Sequence, residues 1–177
     1  MSVISKKMCM VGDFGVGKTS LIRRFVDRQF SDQYLSTVGV KISKKNVELL
    51  EVRQKEKQDV QLLIWDLEGN TKFKSIAPTY LQGAGGALIV ADVSRLETVE
   101  RIIDHIELFC SVNPKGAIII ALNKVDLIDE EKLTKIVEIA AGIAPNKVLG
   151  TYATSAKVGK DVDDIFYKLA YKMLEPT

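Results

Sequence analysis

Several residue types are scarce in this chain of 177 residues. It has two cysteines and one histidine, which exclude a Cys/His zinc site and a disulfide framework. A Ser-His-Asp triad is a poor fit for the same reason. No apolar run reaches the roughly 18 residues needed to span a bilayer. The first residues, MSVISKKMCM, are too short and too polar for a secretory signal, so the expected compartment is the cytoplasm. Excess charge of one sign is missing too. Lys and Arg total 25 against 23 Asp and Glu, and this near balance argues against a nucleic-acid-wrapping protein. Any chemistry must therefore rest on carboxylates, lysines, hydroxyls, amides and backbone groups.

What is present is the pattern of a globular domain. Hydrophobic residues make up 46%, enough for one core without metal or disulfide staples. Short apolar runs alternate with amphipathic segments. Met8 to Val11, Ala87 to Val93 and Ala117 to Leu122 read as strands buried on both faces. Val38 to Val52, Val60 to Asp66 and Val148 to Thr154 read as further strands, and Arg53 to Asp59 as a charged, exposed hairpin tip. Helical spacing marks Lys18 to Arg28, Leu96 to Phe109, Glu130 to Ala141 and Val162 to Leu174. The alternation predicts a single α/β domain over residues 1–177 with a mostly parallel sheet. Ligands of such sheets bind beyond the carboxyl ends of the strands.

Gly12 to Thr19, GDFGVGKT, matches GxxxxGK[ST] at every fixed position, with a strand before it and a helix after it. Glycines let backbone N–H groups turn toward phosphates without steric bulk, and the helix N-terminus adds partial positive charge. Lys18 is expected at the β- and γ-phosphates and Thr19 at Mg²⁺. The competing reading is a ligand-free glycine-rich turn. The motif alone means nucleoside triphosphate. Asn123-Lys124-Val125-Asp126 follows the last fully apolar strand and narrows the base to guanine. The Asp126 carboxylate can accept from both N–H groups of the guanine edge, and adenine would leave that acceptor unpaired. The competing reading there is a polar turn capping the next helix.

With these residues in place the chain resembles the Ras superfamily of small GTPases, in its Rab-like branch. The resemblance runs through GDFGVGKTSLIRRFV, YLSTVGV (Tyr34 to Val40), LLIWDLEGN (Leu62 to Asn70), NKVDL and TSAK (Thr154 to Lys157). It implies a six-stranded sheet with one antiparallel edge strand and helices on both faces. It implies GTP and GDP as substrate and product, with Asp13, Phe14, Gly15, Val16, Gly17, Lys18, Thr19 and Ser20 around the phosphates. Thr37 would join Thr19 on Mg²⁺, and Asp66 would hold the ion through water. Gly69 would sense the γ-phosphate, Phe30 would stack near the base and Tyr34 would lie over the phosphates. Ala156 would meet guanine, supported by Ser155, with Asn123, Lys124 and Lys157 packed along the nucleotide. Lys18, Thr37, Gly69 and Asn70 would form the hydrolytic group. Effectors would read the two switch loops, and an exchange factor and a GTPase-activating protein would set the state of a monomer.

The sequence departs from the family pattern in four places. Asn70 stands where the water-orienting glutamine is usual. Its amide is one methylene, about 1.5 Å, short, and misplacement of that order slows chemistry about a hundredfold. Glu68 beside it either orients water or faces solvent. Phe14 replaces a small residue, and its ring either crowds the γ-phosphate or folds outward. The stretch from Thr37 to Asp66 is longer than usual, with the surplus in the charged hairpin, either a partner surface or simply solvated. No cysteine follows Cys110, so no membrane anchor is expected within these residues, and a lipidated tail would lie outside them. GTP binding with slow hydrolysis is the expectation. A GTP-binding interaction module with little hydrolysis is the alternative. A nucleotide kinase would need an arginine-rich lid, which the sequence does not display. Cys9 and Cys110 read as inert thiols, His105 as a surface or packing residue, and Trp65 as packed on one ring face.

Overall fold

The computed structural model describes residues 2–31, 39–52, 55–67 and 78–175. Six strands form one sheet: β1 (Ile4–Gly12), β2 (Val40–Val52), β3 (Lys55–Leu67), β4 (Gly86–Asp92), β5 (Ala117–Asn123) and β6 (Val148–Ala153). Their order is β2-β3-β1-β4-β5-β6. Among the described residues only the β2–β3 strand pair is antiparallel, so β2 is the expected antiparallel edge strand. The helices are α1 (Lys18–Asp27), α2 (Leu96–Glu100), α3 (Ile102–Val112), α4 (Glu130–Ala141) and α5 (Val162–Leu174). No helix among the described residues is long and apolar enough to cross a membrane.

The strands alternate their side chains between two cores, as a pleat requires. Met8 and Met10 of β1 face a cluster with Leu21 and Phe25 of α1 and Phe166 and Leu169 of α5. Cys9 and Val11 face the other side, with Ile102, Ile106 and Phe109 of α3 and Ile136 of α4. Burial on both faces explains why these strands read as unbroken apolar runs. It also pushes the Cys9 thiol up to about 12, so this cysteine is inert, as expected. The rings of Phe25 and Phe166 stack with centroids 4.2 Å apart and tie α1 to α5. The expected packing of Trp65 on one face is met by the Lys7 ammonium, 3.7 Å from the ring centroid.

Two expectations are corrected. The helix expected over Leu96 to Phe109 is interrupted at Arg101, whose φ of −86° and ψ of 0° close α2 with a tighter turn. The hairpin tip expected over Arg53 to Asp59 is mostly strand, because β3 begins at Lys55 and pairs with β2 as far as Val52. Gln58 is buried there, its amide donating to the Ser2 carbonyl at 3.0 Å and the Asp59 carbonyl at 2.9 Å. The hairpin is also clamped to α5. The Tyr171 hydroxyl accepts from the Leu50 N–H at 2.8 Å and donates to the Leu50 carbonyl at 2.9 Å. The local sequence is charged because one face of the ribbon is solvated, and the pairing is invisible to composition.

Candidate functional site

The glycine-rich loop leaves β1 at the centre of the sheet, between β3 and β4, where successive connections pass to opposite faces. This is the switch point at which α/β sheets open a crevice. Gly15 and Gly17 take φ of 75° and 103°, a region side chains avoid. A Cβ on Gly17 would also lie 2.3 Å from Asn123 Nδ2. Gly17 is the N-cap of α1, so no side chain caps that helix, and its first turn carries no acidic residue. An uncapped, uncompensated helix N-terminus is a place for an anion.

The carbonyls of the loop are engaged one after another by side chains. Lys18 Nζ donates to the Gly12 carbonyl at 3.0 Å and the Asp13 carbonyl at 2.9 Å. Arg95 donates to the Phe14 carbonyl at 2.7 Å. Lys124 Nζ donates to the Gly15 carbonyl at 2.8 Å, and Asn123 Nδ2 to the Val16 carbonyl at 3.0 Å. Carbonyls held in this way do not line an anion site, which leaves that task to the backbone N–H groups.

Asp92, at the end of β4, supports two of these donors. Its Oδ2 meets Lys124 Nζ at 3.0 Å and Arg95 Nε at 3.2 Å. Burial alone would raise the Asp92 pKa, but hydrogen bonds from Ser94 and Lys124 overcome it and hold the carboxyl below its ordinary value. The side chain of Asp13 is buried as well, gripped by His105 Nε2 at 2.8 Å and by Arg101. Burial opposes ionisation there too, and the contacts with His105 and Arg101 win. Lys18 behaves in the opposite sense. Burial lowers its pKa to about 8, against the attraction of Asp66 and Asp13.

Thr19 and Asp66 meet at the end of β3, with the hydroxyl donating to Asp66 Oδ2 at 2.6 Å. A hydroxyl and a buried carboxylate, both hard oxygen donors, fit Mg²⁺ in kind. At the ends of β5 and β6 the Asn123-to-Asp126 turn meets Thr154 to Lys157. The Thr154 hydroxyl donates to Asn123 Oδ1 at 3.1 Å and the Ser155 hydroxyl to Asp126 Oδ1 at 2.7 Å. Ala156 is buried, and its carbonyl accepts from Arg24 Nε at 2.7 Å. Arg24 also donates to the Lys157 carbonyl. Lys157 is exposed and Ser20 half-buried, while Phe30 packs at the edge of the α1–α5 core. Phe14 is 41% exposed. Tyr34, Thr37, Glu68, Gly69 and Asn70 lie outside the described residues.

Sequence reasoning missed Arg24, Asp92, Arg95, Arg101 and His105. Each sits on an ordinary helix, turn or strand end, and no local pattern marks it. His105 is the clearest case. It is a buried residue, as one of its two readings allowed, yet it touches the loop 92 positions before it.

Comparison with known proteins adds independent findings. Residues 7–126 match the family described as Ras of Complex, Roc, domain of DAPkinase. The chain is 35% identical over 171 residues to the Ras-related protein Rab5 of Nicotiana tabacum, covering 96% of this chain and 82% of that relative. It is 33% identical to the GTP-binding protein ypt5 of Schizosaccharomyces pombe, covering 96% and 78%. It is also 33% identical to the Ras-related protein Rab-1C of Dictyostelium discoideum, covering 97% and 82%.

Proposed function

The chain belongs to the Ras superfamily of small GTPases, in its Rab-like branch, and on that premise we propose how its own residues bind and turn over the nucleotide. It is a small GTPase that acts as a GTP/GDP switch in trafficking. Its partners are of the kinds such switches have: effectors, exchange factors and GTPase-activating proteins.

The phosphates lie along the Gly12 to Thr19 loop and the N-terminus of α1. The observation that carries this reading is the run of carbonyls from Gly12 to Val16, each accepting from a side chain. Lys18 balances charge on the β- and γ-phosphates. Thr19, Asp66 and Thr37 would hold the metal ion, Asp66 by way of water. When bound, Mg²⁺ supplies charge neutralisation at the phosphate oxygens. Asp126 accepts from the guanine edge, and the Ser155 hydroxyl that donates to it at 2.7 Å fixes its orientation. Asn123 links the base-reading turn to the phosphate loop through the Val16 carbonyl. Phe30 flanks the base, and Ala156 offers its backbone N–H to guanine. The switch loops containing Thr37 and Gly69 carry the signal, since they would be held by the third phosphate and released on its loss. The protein works on the cytoplasmic side.

Hydrolysis is slow in this reading. Water attacks the γ-phosphate in line, and Asn70 is too short to orient it well. Nucleotide extracted from freshly purified protein tests this, with surviving GTP expected. In single-turnover assays Asn70→Gln should raise the rate by up to about a hundredfold. An unchanged rate would show that Asn70 is not the limitation.

A further inference from the structure

The side chain and the carbonyl of Asp13 are both held by side chains described above. Its carboxylate is buried, and His105 Nε2 sits 2.8 Å from Oδ1. Arg101 donates to Oδ2. An ionised carboxylate only accepts, so the Nε2 proton is the donated one. The other ring nitrogen of His105, Nδ1, is buried and makes no hydrogen bond with the described residues. The polar capacity of the imidazole is therefore directed at Asp13 alone. Its neighbours on the inner face of α3 are Ile102, Ile106 and Phe109, all fully buried and apolar. A residue serving only to fill that core would need no polar atom, and burying one is unfavourable unless it is bonded.

The main chain of Asp13 carries the link onward. Its carbonyl accepts from Lys18 Nζ at 2.9 Å. One residue thus connects α3 to the ammonium group that faces the phosphates. We propose that His105 and Arg101 are positioning residues, which anchor the phosphate loop to α3 through Asp13 and so set how fast bound nucleotide is released. This inference rests on the guanine-nucleotide reading of the loop given above. It makes α3 a lever on the phosphate site, joined to it by side chains and not by chain continuity.

The test is the release rate of a fluorescent GDP analogue from the full chain in the presence of Mg²⁺. His105→Ala should speed release about tenfold, the effect of losing a hydrogen bond to a charged group. His105→Gln can place an amide N–H at a similar reach and should return the rate to within about twofold of wild type. A purely structural role would lower the melting temperature of both variants and leave release unchanged, which would overturn the proposal. In a double-mutant cycle with Asp13→Asn the two effects should be strongly non-additive. Additive effects would also overturn it. Should His105→Ala fail to fold, Arg101→Ala decides, because the Arg101 side chain is 49% exposed and its removal leaves the core intact. Faster release supports the anchor, and an unchanged rate refutes it. Failure of wild type to bind the analogue would overturn the guanine-nucleotide reading itself. Normal wild-type binding with unchanged variants would overturn only the role of α3.

Discussion

Binding of nucleotide should take up protons, because burial lowers the Lys18 pKa to about 8 in the unliganded protein. Arg95 nearby lowers it further, while Asp66 and Asp13 only partly restore it. A phosphate placed against the ammonium favours the charged form and moves the pKa back toward its ordinary value of 10.5. The unliganded group is then about half protonated at pH 8 and the bound group nearly fully so. Uptake follows as about half a proton at pH 8 and about three quarters at pH 8.5. Affinity for GDP should fall about threefold between pH 7.5 and 8.5, or roughly 0.7 kcal/mol. Titration calorimetry of GDP without Mg²⁺, in two buffers of different ionisation enthalpy, reads the proton count directly. Leaving out the metal confines the effect to the loop and Lys18. Uptake below about 0.1 proton at pH 8.5, with equal affinities at both pH values, would refute the reasoning. The same shift has a sign for stability. The unfolded chain binds the extra proton between about 8 and 10.5, so the unliganded protein gains stability as pH rises through that window.

Two further predictions test separate parts of the structure. Tyr171→Phe removes the hydroxyl that serves both the N–H and the carbonyl of Leu50. It should destabilise the fold by about 1 kcal/mol, read as a lower denaturant midpoint with an unchanged slope. A neutral result would mean that water replaces the hydroxyl fully. Asp126→Asn should move preference from guanine toward xanthine nucleotides, since an amide can donate where the carboxylate accepts. Competition binding between GDP and XDP checks it, and unchanged preference would remove Asp126 from the base site.

Much of the fold was legible because its signals are local. The apolar runs at Ala87 to Val93 and Ala117 to Leu122 had to be strands buried on both faces, and they are β4 and β5. The amphipathic stretch after GDFGVGKT had to be a helix, and it is α1. The break at Arg101 was not legible, since the helical apolar spacing of Val99, Ile102, Ile106 and Phe109 runs straight across it. The strand over Lys55 to Asp59 was hidden by charge. Its identity comes from hairpin pairing with β2, from Glu48–Asp59 to Val52–Lys55, on a ribbon whose β2 strand is held at Leu50 by Tyr171, 121 positions away.

The candidate site divides in the same way. Residues whose spacing is itself the chemical requirement were legible from the chain alone. Glycines at Gly12 and Gly17 with Lys18 and Thr19, and Asp126 three positions after Asn123, are of this kind. The scarcity of histidine was legible too, but its meaning was not. The single histidine looked remote from the loop because sequence distance is all a chain displays. Packing α3 on β1 and β4 brings His105 to Asp13, and the same closure brings Arg95 to Phe14 and Arg24 to Ala156. Periodicity encodes which face of an element is buried. It does not encode which distant partner is met there, and that only the tertiary structure decided.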